Sequence, residues 1–195
     1  MPAHTTSERF LHTAKLLQDC ADLFAEPVHG AAEVILQALM ADGKLLVAGN
    51  GACASLANTM SAYMMTQLDC ERMGLAAIAL CNNAALLSSL ARQQHADDLF
   101  AQQIHALGKP HDVLCVLSTD GQCTNLQAAI QAAHERDIRV LALTGADGGA
   151  LAGMLSDHDI LLNVPSAQAS EVIEVHLATI HALSWEIDQL LLGGL

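Results

Sequence analysis

Five short apolar runs, each stopped by turn residues and separated by alanine-rich stretches, constrain the fold of this 195-residue chain more than any other feature. Lys44 to Ala48 stops at Gly49-Asn50-Gly51, and Ala76 to Leu80 stops near Asn82-Asn83. Asp112 to Leu117 stops at Ser118-Thr119-Asp120-Gly121, Arg139 to Leu143 at Thr144-Gly145, and Asp159 to Val164 at Pro165. A run apolar at every position must be covered on both faces, which is the condition of a strand inside a parallel sheet. The intervening segments, such as Asn125 to Arg136, carry the 3.6-residue pattern of crossover helices. Strands alternating with helices predict an α/β fold with one parallel sheet.

Before Gly43 the chain reads as helix. Leu11, Ala14, Leu17, Cys20, Ala21 and Phe24 recur at helical spacing, and Pro27 predicts the end of that run. A second helix is expected over Ala31, Val34, Ile35, Ala38 and Leu39. The organisation is thus an N-terminal helical segment over 1–42, packing on the domain and in an oligomer, followed by the α/β domain over 43–195. A last helix is expected from about Gln168 to Leu192.

Hydrophobic residues make up 52% of the chain and charged residues 15%, an excess that points to a face buried against other subunits. The net charge of −13 speaks against a phosphate backbone or an anionic membrane as direct partner. No apolar run is long enough to span a bilayer, and the polar N-terminus lacks the apolar stretch of a secretory signal, so a cytoplasmic location is expected. The six cysteines form no C-x-x-C pair, and the expectation is reduced thiols without a structural disulfide.

Open parallel sheets bind ligands at the carboxyl ends of their strands, near the reversal in strand order. Two loops suit that role: Gly49, Asn50, Gly51, Ala52 and Cys53, entering a helix near Ala54, and Ser118, Thr119, Asp120, Gly121, Gln122 and Cys123, entering a helix near Thr124. Each sets glycine and a hydroxyl or thiol beside a helix N-terminus, where free N–H groups receive anions. The same residues also suit tight turns alone.

Taken together, Ala48-Gly49-Asn50-Gly51, Ala76 to Leu80, Leu117 to Gly121, and Ala142 to Gly149 resemble the SIS (sugar isomerase) family in order and spacing. More narrowly they are similar to its phosphoheptose isomerase subgroup, to which the segment Glu174 to His181 also corresponds. The resemblance covers nearly the whole chain. It implies a five-stranded parallel sheet in the order 2-1-3-4-5 and a homotetramer with sites between subunits. It also implies a small sugar or sugar-phosphate ligand at Gly49, Asn50, Gly51, Cys53, Ser118, Thr119, Asp120, Gly121 and Cys123.

The resemblance further implies a zinc ion held by two His, one Glu and one Gln, with the Glu also serving as acid/base. At the corresponding positions this chain has Thr59, Tyr63, Ile173 and His181. Thr, Tyr and Ile supply no equivalent donors, so no metal, no cofactor and no catalytic residue are expected. The subgroup's phosphate-loop serines are replaced by Cys53, Asp120 and Cys123, and an Asn-Asp pair by Arg92-Gln93. Asp120 would oppose a phosphate or cap its own helix. Cys53 and Cys123 are expected to share one pocket and, near helix N-termini, to react faster than Cys115.

These departures lead to the expectation of a non-catalytic tetrameric scaffold. It would resemble the subgroup's DnaA initiator-associating relative, regulate replication initiation and take a DnaA-type protein as partner. The alternatives are a sedoheptulose 7-phosphate isomerase and a phosphosugar-sensing module. For the scaffold, the partner surface is expected at Leu191 and Leu192. Ile187, Leu190 and Leu191 suit the stripe that packs on the sheet, while Leu192 and Leu195 fall outside it, near Gly193-Gly194.

Overall fold

A computed structural model describes residues 5–193. Gly194 and Leu195 of the C-terminal tail lie outside the described residues. The chain opens with one long helix, α1 (Thr6–Met40). Then come β1 (Leu45–Gly49), α2 (Ala52–Met65), β2 (Ala77–Ala79) and α3 (Ala84–Arg92). A single 3-10 turn leads into α4 (Leu99–Leu107), β3 (Val113–Leu117) and α5 (Thr124–His134). Next are β4 (Arg139–Gly145), the short α6 (Gly149–Ala152), β5 (Ile160–Val164) and α7 (Ala169–Leu192). All five strands pair in parallel in the order β2-β1-β3-β4-β5.

The central strands β1 and β3 are apolar and buried throughout because helices cover both faces. In β1, Leu45 and Val47 point to one core with Val113, Cys115 and Leu117 of β3. That core is closed by α1, α2 and α7. Leu46 and Ala48 point the other way, with Leu114 and Val116, into a core closed by α4 and α5. The period-two alternation of a strand therefore feeds two cores at once.

The expected break at Pro27 does not occur. α1 runs through Pro27 as a single helix, and Thr5 caps it with a reciprocal Thr5–Glu8 box. Proline removes one backbone donor and costs about 3 kcal/mol in a helix interior. The buried stripe Leu16, Cys20, Phe24, Val28, Ala31, Ile35 and Ala38 keeps its phase on both sides of Pro27 and packs chiefly on α7. Burying seven such side chains outweighs the lost bond.

Two buried charges tie the helices together. Arg72 and Asp188 form an ion pair with side chains 3% and 2% exposed. The Arg72 guanidinium also donates to the carbonyls of Tyr63 (2.9 Å), Met64 (2.9 Å) and Thr66 (3.2 Å), which are the open end of α2. One side chain thus caps α2 and clamps it to α7. His176 on α7 is fully buried under β4, with Nε2 donating to the Thr144 carbonyl (3.2 Å). Burial pushes its imidazole down to about 4, against a smaller opposing pull from that carbonyl.

We predict that Arg72→Ala loses on the order of 3–5 kcal/mol of unfolding free energy in urea titrations, because Asp188 is left buried without a partner. The His176 shift has a definite sign. The unfolded chain takes up a proton near pH 6.5 that the folded chain refuses until about pH 4, so folding stability falls as pH drops across that window. The wild type should lose roughly 3 kcal/mol more between pH 7 and 4 than His176→Gln does, as read by denaturant unfolding at each pH.

Candidate functional site

The site follows from the pairing of β1 with β3. Gly49 lies opposite Leu117 in register, so the loops leaving both strands emerge side by side. β1 hands on to β2 on one side of the sheet and β3 to β4 on the other, which places both loops at the reversal of strand order. Gly49 is needed at the first exit, because a Cβ there would stand 2.8–2.9 Å from the backbone and Cβ of Cys53. Gly121 is needed at the second. Its φ is +66°, and a Cβ would meet the Gly148 carbonyl oxygen at 1.9 Å. The Gly121 loop and the Gly148-Gly149 turn therefore touch backbone to backbone, and Leu151 N–H donates to the Gly121 carbonyl (3.1 Å).

Between the loops lies a cleft of about 210 Å³ lined by Asn50, Ala52, Cys53, Leu117, Ser118, Thr119, Asp120, Cys123, Ala169 and Ile173. Six of the nine expected ligand residues line it: Asn50, Cys53, Ser118, Thr119, Asp120 and Cys123. Gly49, Gly51 and Gly121 shape the turns instead. Three contributions were not expected from the sequence. Ala169 and Ile173 bring the first turns of α7 across the cleft. Asn125 exchanges two amide hydrogen bonds with Asn50, at 2.8 and 2.9 Å, and so joins the two loops. An Asn in the first turn of a helix following a candidate loop was the available signal for it.

The Ser118 hydroxyl accepts from Gly121 N–H (3.0 Å) and donates to the Asp120 carboxylate (3.3 Å). Asp120 also accepts from Gln122 N–H (3.0 Å). It therefore braces its own loop and does not cap α5, whose N-cap position is Cys123. Cys123 Sγ stands 3.9 Å from Ser118 Oγ. Cys53 sits in the first turn of α2, which begins at Ala52, two residues earlier than expected. Its side chain is buried, and burial pushes the thiol up to about 11, with smaller contributions from Cys123, Asp120 and Cys81. The two thiols do share the cleft, but Cys53 is not activated by its helix N-terminus, because desolvation dominates.

The positions corresponding to the metal ligands lie along α2 and α7. Thr59 turns its hydroxyl back to the Ser55 carbonyl (3.0 Å). Tyr63 and His181 face each other with ring centroids 5.6 Å apart at 48°. Ile173 packs against the apolar core beside the cleft. A hydroxyl already bonded, a phenol, an alkyl chain and one imidazole do not fit a zinc ion. Among the described residues no group of three or more His, Cys, Asp or Glu is placed to hold a metal.

At the other end of α7, Ile187 is buried, while Leu191 and Leu192 are 37% and 40% exposed. Gly193, at φ +78°, ends the helix. Among the described residues no helix is long and apolar enough to cross a membrane.

This sheet order, with a cleft between the β1 and β3 loops, is that of an SIS domain, and the SIS domain family model matches residues 10–145, so the chain belongs to that family. Its relatives narrow the assignment to the phosphoheptose isomerase subgroup. The chain is 42% identical over 186 residues to the phosphoheptose isomerase of Neisseria gonorrhoeae, covering 95% of this chain and 94% of that protein. A solved phosphoheptose isomerase from the same organism superposes with a TM-score of 0.89 at 40% identity, covering 94% of this chain and 96% of the other. One from Francisella tularensis gives 0.90 at 32% identity, with the same coverage. These likenesses overturn the expected non-catalytic scaffold resembling the DnaA initiator-associating protein, and with it the role in replication initiation. Near-complete coverage by proteins named as isomerases supports the alternative of an isomerase.

We predict that Cys123 is alkylated first in the cleft. At pH 8, iodoacetamide should modify Cys123 at least tenfold faster than Cys53 or the fully buried Cys115, whose thiol burial pushes up to about 12, as read by peptide mass spectrometry.

Proposed function

We propose that this chain is a phosphoheptose isomerase acting on sedoheptulose 7-phosphate, with the sugar phosphate received in the cleft between the β1 and β3 loops. The observation that carries the reading is likeness at about 40% over nearly the whole chain to proteins of that name, with the same fold. The Asn50–Asn125 pair is suited to the hydroxyls of the ligand, and the Ser118–Thr119 loop lies where its phosphoryl end would approach.

Isomerisation between C1 and C2 needs a group that takes a proton from one carbon and returns it to the other. With no carboxylate at position 63, the candidates on these helices are Tyr63 and His181. His181 lies eight residues beyond Ile173, about 12 Å along α7, so it stands away from the cleft of its own chain. The cleft is also small beside the roughly 300–1,000 Å³ of most ligand sites. Both facts support a homotetramer in which one copy completes another's site. The apolar groove between α1 and α7, lined by Leu17, Phe24, Val28 and the half-exposed Trp185, offers a face for that assembly.

A second reading, a phosphosugar-sensing module that binds without turnover, is favoured by one observation: Thr59, Tyr63 and Ile173 replace three of the four isomerase donors, leaving only His181. One experiment separates the two. Purified protein should convert sedoheptulose 7-phosphate, and His181→Ala should lower kcat about 100-fold or more with little change in KM. Mixing inactive His181→Ala chains with inactive Ser118→Ala chains should restore part of the activity if the site is shared between copies. Binding without turnover in the wild type would establish the sensing module instead.

A further inference from the structure

Asp120 is the one charged side chain lining the cleft, and no Lys or Arg lines it among the described residues. Asp120 is exposed at the rim of the cleft, and its carboxylate is held there by the loop. Oδ1 accepts the Ser118 hydroxyl at 3.3 Å and the Gln122 N–H at 3.0 Å. Those two donors lie on the strand-to-helix loop, where an anionic ligand would seek them. The loop therefore carries its own anion, held in place by the groups that an incoming anion needs. Arg9, which reaches the first turn of α7 beside Ala169, is engaged there by Ser170, Glu171 and Glu174.

We infer that Asp120 is a specificity-determining residue that sets the cleft against a doubly charged phosphoryl group, so that the ligand is held mainly through its sugar hydroxyls. This rests on the reading of the cleft as a sugar-phosphate site. Two like charges a few ångströms apart repel each other, modestly here because Asp120 is exposed to solvent. The competition for donors acts in the same direction. A ligand without the phosphoryl group, or with a singly charged one, meets less of either effect.

Asp120→Asn tests the charge alone. The amide has the same shape, and its oxygen accepts the same two hydrogen bonds, so the loop keeps its brace. Calorimetric titration with inorganic phosphate should show at least fivefold tighter binding in Asp120→Asn than in the wild type. Sedoheptulose 7-phosphate should gain similarly, and unphosphorylated sedoheptulose should bind both proteins alike. Asp120→Ser, with a hydroxyl in place of the carboxylate, provides the same comparison if the asparagine variant unfolds at lower temperature. Equal phosphate affinity in the wild type and both variants overturns the inference, as does an equal gain for the unphosphorylated sugar. Failure of both the wild type and Asp120→Asn to bind phosphate overturns it too. If Asp120→Asn gains phosphate affinity while neither protein turns over sedoheptulose 7-phosphate, the inference stands and the isomerase reading falls.

Discussion

The structure depends on the in-register parallel pairing of β1 with β3. All five residues of each strand are buried, and Leu45 to Gly49 lie opposite Val113 to Leu117 in register. Such strands can exist only with helices on both faces, which dictates two cores and the crossovers that supply them. The same pairing sets the ends of two strands side by side and so creates the cleft. A one-residue slip would exchange the faces of every side chain in β1, burying the wrong set in each core. Register, core composition and site location are therefore one constraint.

Backbone contact then shapes the cleft. Gly121 lies against Gly148, and Gly49 against Cys53, at distances that leave no room for a Cβ. Close approach of the backbones lets the Ser118 loop and the Gly148-Gly149 turn support each other without intervening side chains. The Asn50–Asn125 amide pair performs the corresponding task between the two loops that bound the cleft. What remains inside is a small space with hydroxyls, two thiols and one carboxylate. Its framework is that of the phosphoheptose isomerase subgroup, while its charge and donor set are this chain's own.

The framework and the chemistry of the site carry different information. Identity at the level found here extends over the helices and strands that build the domain. Thr59, Tyr63 and Ile173 change the chemistry without disturbing that framework, because each fits its helix: Thr59 bonds its own backbone, Tyr63 packs on His181, and Ile173 joins the core. Substitutions that pack well are accommodated whatever they do to a reaction. For this reason identity over the framework places the chain in its subgroup, while the residues at 59, 63 and 173 give its site a donor set of its own.

The five strands, their parallel arrangement and the two loops that bound the cleft were legible in the sequence, because apolar runs ending in glycine and polar residues have few other physical solutions. The absence of metal-donor chemistry at positions 59, 63 and 173 was equally legible, since it depends on residue type alone. Local signals failed where long-range packing outweighed them. Pro27 signalled a break, but a stripe buried against α7 carries the helix through it. A helix N-terminus suggested a reactive Cys53, but the sheet and its neighbours desolvate the thiol. Asp120 could brace its loop or cap a helix, and only the turn at Gly121 decided that its oxygen meets Gln122 N–H. The distance between the cleft and His181 could not be read from the loops either, because it depends on how α7 lies across the sheet. Sequence pattern determined which segments must be buried; tertiary packing decided which local preferences survived that burial, because the free energy of a shared core exceeds that of any single turn, cap or proline.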